Sequence, residues 1–167
     1  LPRRNEAGTI YAGTHMRTLI VGDIHGCYSE FKALLKAASI TPGKDRIISV
    51  GDMINRGQDS LSVVRFFRDT PLTFAVMGNH ERMFQLQQYD WLVDPSFAIT
   101  LFTLKQKEAE EVHDFVHSLP LYIRLEEALI LHAGLDPSKP LEQQDSDVLL
   151  GNGPDSKRLI SKGAWFD

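Results

Sequence analysis

The sequence predicts an α/β fold built on a parallel or mixed sheet. Three short apolar segments, each of the length of a buried strand, alternate with segments whose apolar residues recur at helical spacing. Such a βαβαβ order requires right-handed crossovers between parallel strands. Two further apolar segments on either side of Glu126 and Glu127 predict a hairpin later in the chain.

The predicted elements follow one another in regular order. Strands are expected over residues 19–21, 47–50, 72–76, 121–125 and 128–132. Helices are expected over residues 28–38, 60–68, from about His80 to Tyr89, and over 105–117. In the first helix, for example, the apolar residues Phe31, Leu34, Leu35 and Ala38 recur at i, i+3, i+4 and i+7. The segment 91–100 is uncertain, and the pattern weakens after Gly134 into loops and turns.

The composition is that of an ordinary single domain. A chain of 167 residues can bury one sizeable core, and its net charge of −4 argues against an RNA or DNA duplex or an anionic membrane as partner. No apolar run approaches the ~20 residues that span a bilayer, and the N-terminus lacks the apolar region of a secretory signal. The single cysteine, Cys27, cannot form an internal disulfide. We therefore expect a cytoplasmic protein, with Cys27 as a packing residue. The oligomeric state does not follow from the sequence.

Residues 1–15 are unlike the rest of the chain. They mix polar residues and glycine without a sustained period, and Met16 comes just before the first strand. We interpret residues 1–15 as an added or upstream extension, and residues 16–167 as the domain. The alternative is a genuine β-segment, because residues 9–12 have some strand character.

Polar side chains that can bind metals follow four of the predicted strands. Asp23 and His25 follow the first strand, Asp52 the second, Asn79 the third, and His132 ends the fifth. Ligands of open α/β sheets bind at the carboxyl ends of the strands, so these side chains are expected around one crevice. Mixed oxygen and nitrogen donors suit Mn²⁺, Fe, Zn²⁺, Co²⁺ or Ni²⁺, and a shared carboxylate can bridge two ions. Taken singly, Asp52 or Asn79 would more often be a strand-end turn residue or a helix cap than a ligand.

The four motifs are specific when taken together. They are Gly22-Asp-Ile-His-Gly26, Gly51-Asp-Met-Ile-Asn-Arg-Gly57, Gly78-Asn-His-Glu81 and His132-Ala-Gly134. In type and order they resemble the motif set of the calcineurin-like metallophosphoesterases. The branch that this chain resembles holds the protein Ser/Thr phosphatases and the bacterial symmetrical diadenosine tetraphosphate hydrolases. The resemblance covers residues 17–141 and implies a two-sheet β-sandwich flanked by helices.

The resemblance implies a metal centre with two divalent ions, Mn²⁺ being the first candidate. Asp23 and His25 would hold one ion, Asn79 and His132 the other, and Asp52 would bridge both. A hydroxide between the ions would attack the phosphorus of a phosphomonoester or a phosphoanhydride. The chain would then be a metal-dependent phosphatase.

Two more residues acquire roles from the resemblance. Arg56 would grip phosphate oxygens with its planar guanidinium, and His80 would protonate the leaving oxygen. In the protein phosphatases an aspartate pairs with this histidine, whereas Asn55 stands here and cannot stabilise an imidazolium by charge. His80 is therefore expected to be a weaker acid, with a purely structural role as the alternative. Glu81 is expected to favour the positive end of a helix dipole.

The substrate stays open between two classes. Glu81 ends its motif as in the protein phosphatases, but Met77 stands where they usually have a basic residue. Residues 41–45 and 57–65 look similar to the diadenosine tetraphosphate hydrolases. The expected partner is therefore a phosphoprotein or a dinucleoside polyphosphate.

One expected part of the pattern is missing. The family supplies a further histidine ligand after the His-Ala-Gly motif, and no histidine follows His132. The second ion would then lack one protein ligand, and the domain would be incomplete at its C-terminus. The alternative from a different functional class is a catalytically impaired module that binds phosphoryl groups or a partner on the same scaffold.

Overall fold

The computed structural model describes residues 16–86 and 96–152. The strands are β1 (Thr18–Val21), β2 (Arg46–Ser49), β3 (Thr73–Ala75), β4 (Tyr122–Arg124) and β5 (Leu129–Leu131). The helices are α1 (Tyr28–Ala37), α2 (Ser60–Asp69), α3 (Asn79–Gln85), α4 (Ser96–Thr103), α5 (Gln106–His117) and α6 (Ser146–Leu149), with a 3₁₀ turn over Leu141–Gln143. In this part of the chain, no helix combines the length and the apolar character needed to cross a bilayer.

Two sheets carry the fold, in agreement with the predicted α/β class. β1, β2 and β3 form a parallel sheet in that order, and β4 pairs with β5 in an antiparallel hairpin. The parallel register places Ile20 beside Ile48 and Ile48 beside Phe74. The carboxyl ends of all three parallel strands therefore meet at one edge of the sheet.

Both faces of the parallel sheet are covered, which explains the unbroken apolar runs of its strands. On one face, strand residues join a core with α1, α2 and α5, whose fully buried members include Ile47, Val63 and Val112. On the other face the β4–β5 hairpin packs against the sheet, with Ile48 and Ile123 in one cluster. Helices α1, α2 and α5 thus lie on one side of the sheet and the hairpin on the other.

The structure differs from the sequence prediction mainly at the ends of elements. α3 begins at Asn79 and is described to Gln85, and its predicted continuation to Tyr89 lies outside the described residues. The uncertain segment 91–100 contains the start of α4 at Ser96. Periodicity predicts neither α6 nor the 3₁₀ turn, because both are too short to show a repeat. Residues 1–15 lie outside the description, so the domain boundary at residue 16 stays a prediction.

Glu111 ties α5 to α2. Its carboxylate accepts hydrogen bonds from Nε and Nη2 of Arg65 at 2.8 and 2.9 Å and also contacts Arg68. These bonds lower the pKa of Glu111 from 4.5 to about 2, against a smaller opposing effect of burial. Because the pKa is lower in the folded chain, the contact stabilises the fold fully above about pH 4.5, and the stabilisation disappears as the pH falls through about 2.

We expect Glu111→Gln to lower the urea midpoint of unfolding at pH 7, because it removes the charge that both guanidinium groups face. The difference from the wild type should shrink as the pH falls from about 4.5 towards 2. Glu110→Gln, at an exposed position on the same helix, is the control and should leave the midpoint unchanged. Identical midpoints for Glu111→Gln and wild type at pH 7 would mean that this ion pair, like many on surfaces, contributes nothing measurable.

Candidate metal centre

The loops after β1 and β2 are joined by backbone hydrogen bonds. The N–H groups of Ile24 and His25 donate to the carbonyl oxygen of Asp52 at 3.0 and 2.9 Å, and Gly57 N–H donates to the carbonyl of His25 at 2.7 Å. This pairing fixes the backbone of both motifs that carry predicted metal ligands, before any side chain is considered. It holds His25 and Asp52 next to each other.

Glycines occupy the positions at which these loops contact one another. A Cβ on Gly57 would collide with the carbonyl oxygen of His25, and a Cβ on Gly78 would collide with Asp52. Gly51 has a φ of 100°, and a Cβ there would lie 2.6 Å from the nitrogen of Gly78. The close approach of the three loops therefore depends on these glycines.

Two imidazoles direct their Nε2 atoms at one carboxylate. Nδ1–H of His25 donates to the carbonyl of Ile54 at 2.9 Å, and Nδ1–H of His132 donates to that of Val50 at 2.9 Å. In a neutral ring with its proton on Nδ1, Nε2 keeps a lone pair that can bind a cation. Nε2 of His25 lies 3.6 Å from Oδ2 of Asp52, and Nε2 of His132 lies 3.6 Å from Oδ1.

The remaining two predicted ligands lie beside these imidazoles. Oδ2 of Asp23 is 3.7 Å from Nε2 of His25, and Oδ1 of Asn79 is 2.9 Å from Nε2 of His132. Nε2 of His25 is buried and has no hydrogen-bond partner among the described residues. A buried acceptor that faces two carboxylates is unfavourable unless a cation lies between them. The structure thus gathers all five predicted ligands, and their donor atoms fit divalent cations on either side of Asp52.

The predicted acid and the predicted phosphate-binding residue adjoin this cluster. His80 is 2% exposed, and its ring stacks on Phe97 at a centroid distance of 5.7 Å. Nδ1 of His80 is 3.1 Å from Nδ2 of Asn55, and Nε2 is 3.3 Å from Nη2 of Arg56. Asn55 therefore contacts the histidine in the place where the protein phosphatase pattern has an aspartate.

His80 also belongs to a compact group of potential ligand atoms. One such atom from each of His25, Asp52 and His80 lies within 4.8 Å of the others. A guanidinium 3.3 Å from Nε2 of His80 disfavours a further cation at that nitrogen. We therefore retain the predicted role of His80 in proton transfer and do not count it among the ligands.

Glu81 has a role that sequence reasoning missed. Its fully buried carboxylate accepts hydrogen bonds from the N–H groups of Asp52 at 2.7 Å, Met53 at 2.8 Å, Ile54 at 3.2 Å and Gly78 at 2.9 Å. Burial raises the pKa of Glu81 to about 7, the charge of Asp52 adds to the rise, and the N–H donors oppose it. Glu81 is the last residue of the third motif. Its contacts with the loop after β2 are too distant in sequence to follow from a local pattern.

Two hollows border the candidate site. A mainly apolar cavity of about 250 Å³ has Asp23 at its wall and Phe31 of α1 in its lining. A more polar groove of about 590 Å³ is lined by Arg56 and by Lys32. Cys27 lies between the two hollows and is exposed, so the prediction that it is a packing residue is wrong.

Comparison with known families gives one family for nearly the whole chain. The sequence pattern of the calcineurin-like phosphoesterases matches residues 16–162. This span contains all four motifs and all of the residues that the structure describes.

Curated relatives share the same region. A protein of Coxiella burnetii named symmetrical bis(5'-nucleosyl)-tetraphosphatase is 36% identical over 124 residues, which are 72% of this chain and 42% of the relative. A protein of the same name from Nitrosospira multiformis is 35% identical over 130 residues, which are 77% of this chain and 47% of the relative. The chain thus spans less than half of the length of these two relatives.

Solved structures share the fold. One, provisionally described as a diadenosine tetraphosphatase, has a TM-score of 0.67 and 31% identity over 86% of this chain and 62% of its own. A protein serine/threonine phosphatase from Saccharomyces cerevisiae has a TM-score of 0.60 and 23% identity over 76% of this chain and 41% of its own. At that identity the yeast protein supports the fold alone.

Proposed function

Because the chain belongs to the calcineurin-like phosphoesterase family, we propose that it is a metal-dependent phosphoesterase that cleaves dinucleoside polyphosphates. Two relatives at 36% and 35% identity carry the name symmetrical bis(5'-nucleosyl)-tetraphosphatase, which supports this substrate class. The activity is proposed for the protein as a whole, since the chain covers 42% and 47% of those relatives.

One observation carries the proposal: the two oxygens of Asp52 each face an imidazole Nε2 at 3.6 Å. A buried carboxylate between two nitrogen acceptors is the arrangement expected of a ligand that bridges two ions. Two divalent ions, with Mn²⁺ as the first candidate and Fe, Zn²⁺, Co²⁺ or Ni²⁺ as others, would neutralise phosphate oxygens and activate a water molecule. In the proposal Asp23 and His25 serve one ion, and Asn79 and His132 the other.

The chain supplies the remaining chemistry through two side chains. Arg56 is exposed beside the site and can grip the oxygens of the phosphoryl group with two parallel N–H donors. His80 lies within reach of that guanidinium and is proposed to give a proton to the leaving oxygen. Both roles are proposed from the family resemblance, and the contact between the two side chains supports them.

The pairing of His80 with Asn55 supports a phosphoanhydride over a phosphoserine ester. An amide places no negative charge next to Nδ1, so it stabilises the protonated ring less than an aspartate would. The phosphate released from an anhydride is a better leaving group than the alkoxide of serine, and it needs less help from an acid. The neutral partner is therefore compatible with anhydride cleavage.

The test is a parallel assay of the full chain at several Mn²⁺ concentrations. Diadenosine tetraphosphate, a phosphoserine peptide and p-nitrophenyl phosphate are offered, with a chelator-treated sample as the control. We expect metal-dependent release of ADP as the main nucleotide product, as symmetrical cleavage requires, and slow turnover of the peptide. Turnover of the peptide alone would indicate that the protein is a protein phosphatase. No turnover of any substrate at saturating Mn²⁺ would favour the impaired phosphoryl-binding module.

Location and partners remain part of the proposal. The negative net charge of −4 still argues against a nucleic-acid duplex as the partner. The single cysteine still favours a reducing compartment such as the cytoplasm.

A further inference from the structure

The loop after β2 has an unusual backbone. Asp52, Asn55 and Arg56 have φ angles of 51°, 69° and 66°, in the left-handed region that residues with a side chain rarely adopt. Such conformations cost free energy and persist only where surrounding contacts enforce them. Three such residues lie within five positions, and they include the proposed bridging ligand Asp52 and the proposed phosphate-binding residue Arg56. Surrounding contacts must therefore restrain the backbone of this loop strongly.

The carboxylate of Glu81 provides such a restraint. Oε1 accepts from the N–H groups of Met53 and Ile54, and Oε2 accepts from those of Asp52 and Gly78. Hydrogen bonds to an ionised group are shorter and stronger than those between neutral groups. One side chain on α3 therefore holds three consecutive amides of the loop after β2.

The same carboxylate also joins the two halves of the candidate centre. Gly78, whose N–H it binds, immediately precedes the proposed ligand Asn79 at the start of α3. The backbone N–H of His80 in turn donates to Oδ1 of Asp52 at 3.0 Å. The distance between Asp52 and the start of α3 is thus set by hydrogen bonds to two carboxylates, those of Glu81 and of Asp52.

We propose that Glu81 is a positioning residue that fixes Asp52 relative to Asn79 and thereby sets the spacing of the two ions. The inference rests on the proposed two-metal function. It assigns Glu81 no direct contact with substrate or metal. The loss of its carboxylate should loosen the loop after β2. It should also weaken the binding of the second ion, which the proposal assigns to Asp52, Asn79 and His132.

The test compares Glu81→Gln with wild type in the full chain. The amide keeps the size of the side chain but turns an NH₂ group towards backbone N–H donors, so two of the four hydrogen bonds are lost. We expect the amide protons of Asp52, Met53 and Ile54 to exchange with solvent at least about tenfold faster in the metal-free protein. We also expect the affinity for the second Mn²⁺, measured by electron paramagnetic resonance of the free ion, to fall at least about tenfold.

Glu108→Gln is the matched control. Glu108 occupies the same third position of α5, and its carboxylate accepts from the N–H of Lys105 at 2.9 Å, so this variant removes a similar helix-end contact elsewhere. It should leave the loop exchange and both Mn²⁺ affinities unchanged. Glu81→Asp keeps the charge on a shorter stem and serves where Glu81→Gln fails to fold; it should also weaken the second ion.

Wild-type exchange rates and wild-type Mn²⁺ affinities in the Glu81 variants would overturn the proposal. A lower melting temperature with unchanged Mn²⁺ affinity would also overturn it, because that is the result of a merely structural role. The exchange measurement needs no metal, so it separates this proposal from the proposed function. A wild-type protein that binds no Mn²⁺ would refute the two-metal function, and the loop exchange would still report whether Glu81 holds the loop.

Discussion

Asp52→Asn should reduce turnover at least about a hundredfold while the fold is kept. The amide matches the carboxylate in size and can still accept the N–H of His80, which lies 3.0 Å from Oδ1. It removes the negative charge that both proposed ions share. Because the charge of Asp52 also raises the pKa of Glu81, its loss relieves a repulsion between two buried groups, so the metal-free variant should melt no lower than the wild type.

The measurement has three parts: turnover, Mn²⁺ binding and thermal melting. Asp114→Asn is the control for loss of a carboxylate, since its side chain is 89% exposed on α5, and it should change none of the three. Turnover and Mn²⁺ binding near wild type in Asp52→Asn would remove the reading of Asp52 as a bridge. A collapsed melting transition would instead assign Asp52 a structural role.

His80→Ala should slow the cleavage of a phosphoserine peptide about a hundredfold more than the cleavage of p-nitrophenyl phosphate. A general acid contributes most where the leaving oxygen is a strong base, and such contributions reach about 10²–10⁴-fold. The ratio of the two losses is the informative quantity, because any unfolded fraction of the variant lowers both rates equally. Equal losses on both substrates would point to a structural role for His80, whose ring packs against Phe97.

Asn55→Asp is the companion variant of that experiment. It places a carboxylate at Nδ1 of His80, 3.1 Å away, as in the protein phosphatase pattern. Turnover of the phosphoserine peptide should rise relative to that of p-nitrophenyl phosphate. An unchanged ratio would mean that the neutral partner does not limit proton transfer.

The sequence predicted those parts of the site that depend on strand order. Asp23, Asp52 and Asn79 each follow a parallel strand, and parallel strands present their carboxyl ends at one edge, so their convergence follows from topology alone. The same strand-end argument predicted the place of His132, although the structure puts this residue after a strand of the separate antiparallel hairpin. The strands themselves were predicted to within one or two residues, since apolar runs covered on both faces are easily recognised.

The contacts of Glu81 and the exposure of Cys27 could not be predicted in the same way. Glu81 binds amides 27 to 29 residues earlier in the chain, and no periodic pattern encodes such a distance. Cys27 looked like a packing residue because cysteine is usually buried, whereas here it lies just before α1 at the rim of two hollows. Long-range hydrogen bonds and local surface shape are properties of the assembled fold.

The glycine contacts between the loops also limit how this centre could be transplanted. Gly51 and Gly78 meet backbone to backbone, as do Gly57 and the carbonyl of His25. A host scaffold would have to reproduce the spacing and stagger of three adjacent parallel strands before these loops could come into contact. Grafting the proposed ligand side chains alone would leave the loops apart. Designers who borrow the centre should therefore move the strands and the glycines as one block.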